Sequence, residues 1–211
     1  MSATNRHTRF VSFDAEGTLA THAFTRTFMQ EVVPALYARK HGLGLEEATT
    51  QVFSEYESIG MQRREWYDIQ HWFHWFGLGS PFPVIDEHRS AIEFYPEVSS
   101  VLESLSGRYT LVVASSTPLE FLRPLLRDVE HHFLRFFSAM SEWGKLKDEE
   151  FFRWLCRELG AEPSEVVHVG DSWEHDFVGS SRAGIVAYHL DRYAAANGSL
   201  GSLLDLLPLL E

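Results

Sequence analysis

The stretch FVSFDAEGTLA, Phe10 to Ala20, sets two carboxylates, Asp14 and Glu16, two residues apart at the end of an apolar run. Two ionised acids ~4 Å apart repel by about 4 kcal/mol at an effective dielectric of ~20. A proton or a cation must offset that, and either answer points to chemistry. Two more apolar runs stop at polar residues. YTLVVASS ends in Ser115 and Ser116, and VVHVGD ends in Asp171.

These runs are short and rich in Val and Phe, which predicts strands buried on both faces, as in a parallel sheet. IVAYHL (Ile185 to Leu190) and FFSAM (Phe136 to Met140) read as further strands. Helical patterns lie between them. In DEEFFRWLCRELG, Phe151, Leu155 and Leu159 recur every fourth residue, Phe152 and Cys156 stand beside them, and Gly160 supplies the stop. YPEVSSVLESLSG places Pro96 near a helix start and Gly107 at its end. WEHDFVGSSRAG and TPLEFLRPLLRDV also read as helices, the second with a kink or break expected at Pro124. The alternation predicts an α/β fold, a three-layer sandwich with a parallel, Rossmann-like sheet. Ligands in such sheets bind beyond the carboxyl ends of the strands, where the polar clusters fall.

A crossover between parallel strands needs only a dozen or more residues, yet about a hundred separate Asp14 from Ser115. From Ala20 to Phe94 the periodicity is helical throughout, with Phe24, Phe28, Val32 and Leu36 at steps of four. We read residues 20–94 as a helical cap domain inserted into an α/β core made of residues 1–19 and 95–211. The cap carries Trp66, Tyr67, Trp72, Phe73, Trp75 and Phe76, with His71 and His74 interleaved. A packed bundle core is the simpler account of these rings, and a substrate pocket the alternative.

The 211 residues carry a formal charge of −12, which disfavours nucleic acid and anionic membrane as partners. The single cysteine, Cys156, excludes an internal disulfide and reads as a buried apolar residue. The N-terminal MSATNRHTRF has no apolar h-region and no apolar run reaches ~18 residues. We therefore expect a cytoplasmic protein, with the NGS sequon at Asn197 marking only a turn. GSLLDLLPLLE reads as an apolar C-terminal helix, docked on the sheet or at a dimer interface, so monomer and homodimer both stay open.

The chain resembles the haloacid dehalogenase-like (HAD) superfamily of hydrolases with a helical cap. DAEGT matches the first family motif, Asp-x-Asp-Gly-Thr; VVASS the second, a Ser or Thr ending a strand; WGKLKDEEFF the third, a lysine before a helix; and VGDSWEHD the fourth, Gly-Asp-Ser followed by Asp176. All four occur in order and span nearly the whole chain. The resemblance implies a Mg²⁺-dependent phosphohydrolase acting on a small phosphorylated metabolite through an aspartyl-phosphate. Asp14 would be the nucleophile and Glu16 the acid and base. Ser115 and Ser116 would hold phosphate oxygens, although Ser115 also reads as a helix cap. Lys145 would neutralise the phosphoryl group and hold Asp14; it is chosen over Lys147 because it follows Gly144. Asp14, Asp171 and the Glu16 backbone carbonyl would bind Mg²⁺, with Asp176 orienting that shell or binding through water.

Three positions depart from the family pattern: Glu16 stands for Asp, Leu146 for the proline after the lysine, and His175 for a common Asn. The enolase-phosphatase branch also carries Asp-x-Glu-Gly-Thr, though the rest of its signature is not evident here. A dehalogenase would usually carry Tyr at position 16 and lack Asp171 and Asp176. A phosphonatase would need a cap lysine, and the only one is Lys40, at a helix end. A phosphomutase and a non-catalytic binding protein on the same fold are the remaining alternatives.

Overall fold

The computed structural model describes residues 8–60, 63–193 and 198–211. The turn expected at Asn197 and most of the N-terminal segment lie outside the described residues. Five parallel strands form one sheet: β1 (Phe10–Phe13), β2 (Thr110–Ser115), β3 (Phe133–Ser138), β4 (Val166–Gly170) and β5 (Val186–His189), in the order β3-β2-β1-β4-β5. β1 lies at the centre, with Phe13 in register with Val113 on one side and Val169 on the other. β3 starts three residues before the FFSAM run.

Side chains alternate along the strands, so each face of the sheet needs its own cover. Val11 and Phe13 join one apolar cluster, with Val113, Val169, Leu102 and Phe121. Phe10, Val112 and Val166 join another, with Phe151, Phe152 and Leu155 of the helix Glu149–Leu159. Asp148 starts that helix by accepting the Phe151 N–H at 2.9 Å, and Gly160 ends it in the left-handed region at φ 59°. These two clusters are the physical basis of the three layers expected from the sequence.

Between β1 and the helix Val98–Ser106 the described residues form helices, the longest being Val33–His41 and Leu45–Ile59. The chain leaves and returns at a paired neck. Ala20 bridges Phe94, the Thr21 N–H donates to Glu93 O at 2.8 Å, and the Tyr95 N–H donates to Leu19 O at 3.1 Å. Phe24 and Phe28 both pack their rings on Phe121, so the helical segment shares a core with one face of the sheet.

Two local readings are corrected. Of the kink or break expected at Pro124, the break does not occur: Leu119–Leu126 is one helix, and the proline sits near its end, where its missing N–H costs a single bond. The C-terminal segment is a 3₁₀ helix, Leu203–Leu209, opened by a Ser202/Asp205 capping box. Leu203 and Leu206, three apart, share its buried face, which packs on the helix Val98–Ser106 within the apolar cluster that also holds Val11 and Val167 of the sheet.

Candidate active site

Asp14 directly follows β1, and its N–H donates to Val169 O at 2.9 Å, which ties the strand end to β4. The chain then turns tightly. Gly17 sits at φ 81°, and a Cβ there would lie 2.1 Å from Asp171 Oδ2, so the residue must be glycine on both counts. Arg192 clamps the turn from outside, donating to Gly17 O at 3.2 Å, Thr18 O at 2.7 Å and Glu97 Oε1 at 2.7 Å.

The two lysines of the third motif part company. Lys145 is 51% exposed and pairs with Asp148 Oδ2 at 2.5 Å and Glu150 Oε2 at 3.2 Å, at the start of the helix Glu149–Leu159. Lys147 is 3% exposed, and its Nζ lies between Asp14 Oδ1, at 2.5 Å, and Asp176 Oδ1, with Ala114 O at 3.2 Å. The expectation that Lys145 holds Asp14 is therefore corrected to Lys147. The residue after this lysine is Asp148, the helix cap, so Leu146 no longer stands where a proline was expected.

Asp176 is buried and fully engaged. Oδ1 accepts from Lys147 and from His168 Nε2 at 2.9 Å, and Oδ2 accepts the Ser172 N–H at 3.0 Å. Burial alone would raise its pKa; Lys147 and His168 outweigh that and hold it well below the carboxylate range. Burial lowers the pKa of His168, keeping the ring neutral. A neutral ring donating from Nε2 accepts at Nδ1, here from the Ser12 hydroxyl at 2.9 Å. Ser12, His168, Asp176, Lys147 and Asp14 thus form one buried chain from the sheet interior to the strand tips. Gly170 makes room for it, since a Cβ there would meet Asp176 Cγ at 2.2 Å.

Asp14, Asp171 and Asp176 each offer a carboxylate oxygen within 4.8 Å of the others. Lys147 pairs with Asp14 and Asp176, while His22 Nε2 lies 3.6 Å from Asp171 Oδ2. Burial first, then Asp176 and Asp171, push Asp14 from 3.8 up to about 7 against the pull of Lys147. Part of that shift is repulsion between the carboxylates, which a bound cation would relieve. A hard divalent cation fits the all-oxygen donor set and the charge. Asp14 and Asp171 are the side chains placed to hold it, while Asp176 is already saturated by protein donors.

Glu16 does not join this cluster with its side chain. Its carboxylate turns towards Thr117 Oγ1 at 3.4 Å, and its Oε1 is shut from solvent. Burial raises its pKa, with Thr25, His22 and Thr117 pulling it back. Ser115 is buried at the end of β2, and its Oγ accepts the Thr117 N–H at 3.2 Å. The next helix is capped at Pro118, not at Ser115. Ser116 Oγ accepts the Lys147 N–H at 3.3 Å. Asp14, Glu16, Ser115, Ser116, Lys147, Asp171 and Asp176 line one cavity of about 840 Å³, and Lys145 lies outside it. His175 reaches the same cavity, but its Nδ1 lies 3.0 Å from Lys147 O, which ties the ring to the lysine loop. Three π-helical turns, Phe28–Val32, Ala139–Trp143 and Trp173–Val178, border these residues; such turns collect at functional sites.

Residues 8–184 match the family model of haloacid dehalogenase-like hydrolases. The chain belongs to that family. Over 101 residues the hydrolase is 33% identical to a glyceraldehyde 3-phosphate phosphatase of Methanopyrus kandleri, covering 46% of this chain and 43% of that one. Over 93 residues it is 30% identical to a phosphoglycolate phosphatase of Haemophilus influenzae, covering 43% and 41%. These matches span less than half the length of either relative. The structure of a HAD phosphatase from Thermococcus onnurineus superposes with a TM-score of 0.81 at 25% identity, over 96% of this chain and 97% of that one. A 2-haloacid dehalogenase from Pseudomonas syringae shares the fold at 22% identity, with a TM-score of 0.69 over 96% and 98%. Among the described residues no helix is long and apolar enough to cross a membrane.

The buried chain contains a residue that the sequence did not flag. His168 read only as part of an apolar strand. Arg192, the clamp on the turn, lies in no motif at all, although its partner Glu97 stands in the YPEV helix start.

Proposed function

We propose that this hydrolase is a Mg²⁺-dependent phosphatase of small phosphorylated metabolites, with residues 20–94 serving as the cap over its site. The observation that carries the reading is the Asp14 carboxylate, fixed by Lys147, beside Asp171 and lining a cavity of about 840 Å³. The phosphatase names of two partial relatives support it.

A carboxylate oxygen of Asp14 forms the new P–O bond while the ester P–O bond breaks. Glu16 gives its proton to the departing alkoxide, then takes one from the water that hydrolyses the aspartyl-phosphate. Ser115 and Ser116 donate to phosphoryl oxygens, and Lys147 holds Asp14 ionised and in place. Mg²⁺, when bound at Asp14 and Asp171, would supply positive charge against the phosphoryl oxygens.

Phosphate release from a panel of phosphomonoesters tests this. Release is expected with Mg²⁺ and lost with chelator, and acid-quenched enzyme should carry one phosphoryl mass on the Asp14 peptide. Absence of release from every ester in Mg²⁺ would overturn the reading in favour of a mutase or a non-catalytic relative.

Gly17→Ala should lower kcat/KM about 100-fold, because the new methyl displaces the Asp171 carboxyl by more than the ~1 Å that already costs that much. Mg²⁺ titration should show weakened binding in the same variant. Unchanged Mg²⁺ affinity would refute the argument from the close approach.

A further inference from the structure

The cavity above Asp14 is far larger than a two- or three-carbon phosphoester needs. Such an ester has about ten heavy atoms; at a generous ~30 Å³ each, the share a water takes in the liquid, it fills roughly 300 Å³. The cavity holds about 840 Å³, within the range of pockets that enclose ligands of several rings.

Its walls say what the remainder is built for. The phosphate end is polar and was described above. The far end is formed by Met29, Phe53, Tyr56, Trp66, Tyr67 and Phe121. The rings support one another: Phe53 and Tyr56 centroids are 5.8 Å apart, and Tyr56 meets Trp66 edge-on at 6.0 Å. The Tyr56 hydroxyl donates to Met29 O at 3.2 Å, so this tyrosine presents its ring, and not its polar end, to the space. The histidine and charged residues that the helical segment adds to the lining are His22, Arg26 and Glu57, all exposed; His22 Nε2 lies 3.6 Å from Asp171 Oδ2, at the phosphate end, and Arg26 and Glu57 are opposite in sign. They provide no buried cation to grip the carboxylate of a small phospho acid.

We propose that the preferred substrate is a phosphomonoester whose alcohol carries a flat apolar ring system. This deepens the phosphatase reading and rests on it. The ring lies against the Phe53, Tyr56 and Trp66 wall while the phosphate sits at Asp14, Ser115 and Lys147. Binding such a ring excludes water from the site and places Glu16 next to the ester oxygen.

The test compares esters that all leave as alkoxides, so that leaving-group reactivity does not decide the result. 2-Naphthylmethyl phosphate is set against phosphoglycolate and glycerol 3-phosphate. The expected kcat/KM ratio is about 100-fold in favour of the naphthylmethyl ester, carried mainly by KM, as full burial of a bicyclic ring allows. In Phe53→Ala, and separately in Trp66→Ala, that ratio should narrow about 10-fold. Trp66→Phe should restore most of it. Equal losses for all three esters would mean the rings serve only the fold, and would overturn the proposal. So would a preference for the small esters. Binding of the non-hydrolysable 2-naphthylmethylphosphonate to wild type separates the two levels. Tight phosphonate binding without turnover of any ester refutes the phosphatase reading and leaves the ring-binding cavity standing. Turnover of the small esters with no gain for the naphthyl compounds refutes the substrate class alone.

Discussion

Lys147→Met is expected to lower kcat/KM about 10³-fold, while Lys145→Met stays within a few-fold of wild type. Methionine keeps most of the buried stem and removes only the charge. Two buried carboxylates, Asp14 and Asp176, then face each other without the amine between them. Removing one partner of a buried ion pair costs about 3–5 kcal/mol of stability, because the other charge is left uncompensated. Asp14 escapes by taking up a proton, which its already raised pKa favours. A protonated Asp14 is no nucleophile, and removing one fixed donor from a dry site typically costs about 10²–10³-fold. Lys145 has neither role. Its partners Asp148 and Glu150 are solvent-screened, and such pairs contribute little. Steady-state rates and thermal unfolding of both variants decide the matter. A large loss in Lys145→Met with a mild one in Lys147→Met would return the site to the pattern read from the sequence.

That misreading has a physical cause. Gly144 and Lys145 match a family spacing, but spacing along a loop does not say which amine is buried. That depends on where β1 and β4 end, and on Asp148 capping the next helix three residues after Lys145. The strands were legible because burial on both faces demands largely apolar runs, as in Leu111–Ala114 of β2. The helical nature of residues 20–94 was legible from its period. The aromatic side chains of the helical segment divide in a way their types did not predict. Trp72 and Phe73 are fully buried core, Trp75 is 58% exposed, and Trp66 and Tyr67 border the cavity. Neighbours in one aromatic run thus end in three environments, set by helix direction and not by hydrophobicity. His168 and Arg192 were invisible for a different reason. Each acts through a partner far away in sequence, and nothing local marks it.

Glu16→Gln should separate activity from stability. The carboxyl is part-buried, with one oxygen shut from solvent, and burial raises its pKa above the ordinary 4.5. The sign of the linkage follows: the folded state holds this proton more tightly than the unfolded chain. The stability penalty is therefore absent at low pH and grows as pH rises from the unfolded value through the raised folded one. Glutamine removes the charge and with it the penalty, so the variant should melt higher than wild type, most clearly at alkaline pH in chelator. Turnover should move the opposite way. The protonated carboxyl is the form that gives up a proton, so rates with alkyl esters should fall as pH rises through the same raised pKa. Glutamine cannot donate that proton, and the loss should reach about 10²–10⁴-fold for alkyl esters. It should be much smaller for p-nitrophenyl phosphate, whose leaving group departs without one. Glu16→Asp tests reach: drawing the carboxyl back by a methylene, away from Thr117, should cost about 100-fold. A Gln variant that loses stability, or loses rate equally for every leaving group, would make Glu16 a structural residue. A variant that melts higher while failing selectively on poor leaving groups would mark it as the acid, kept out of water at the expense of the fold.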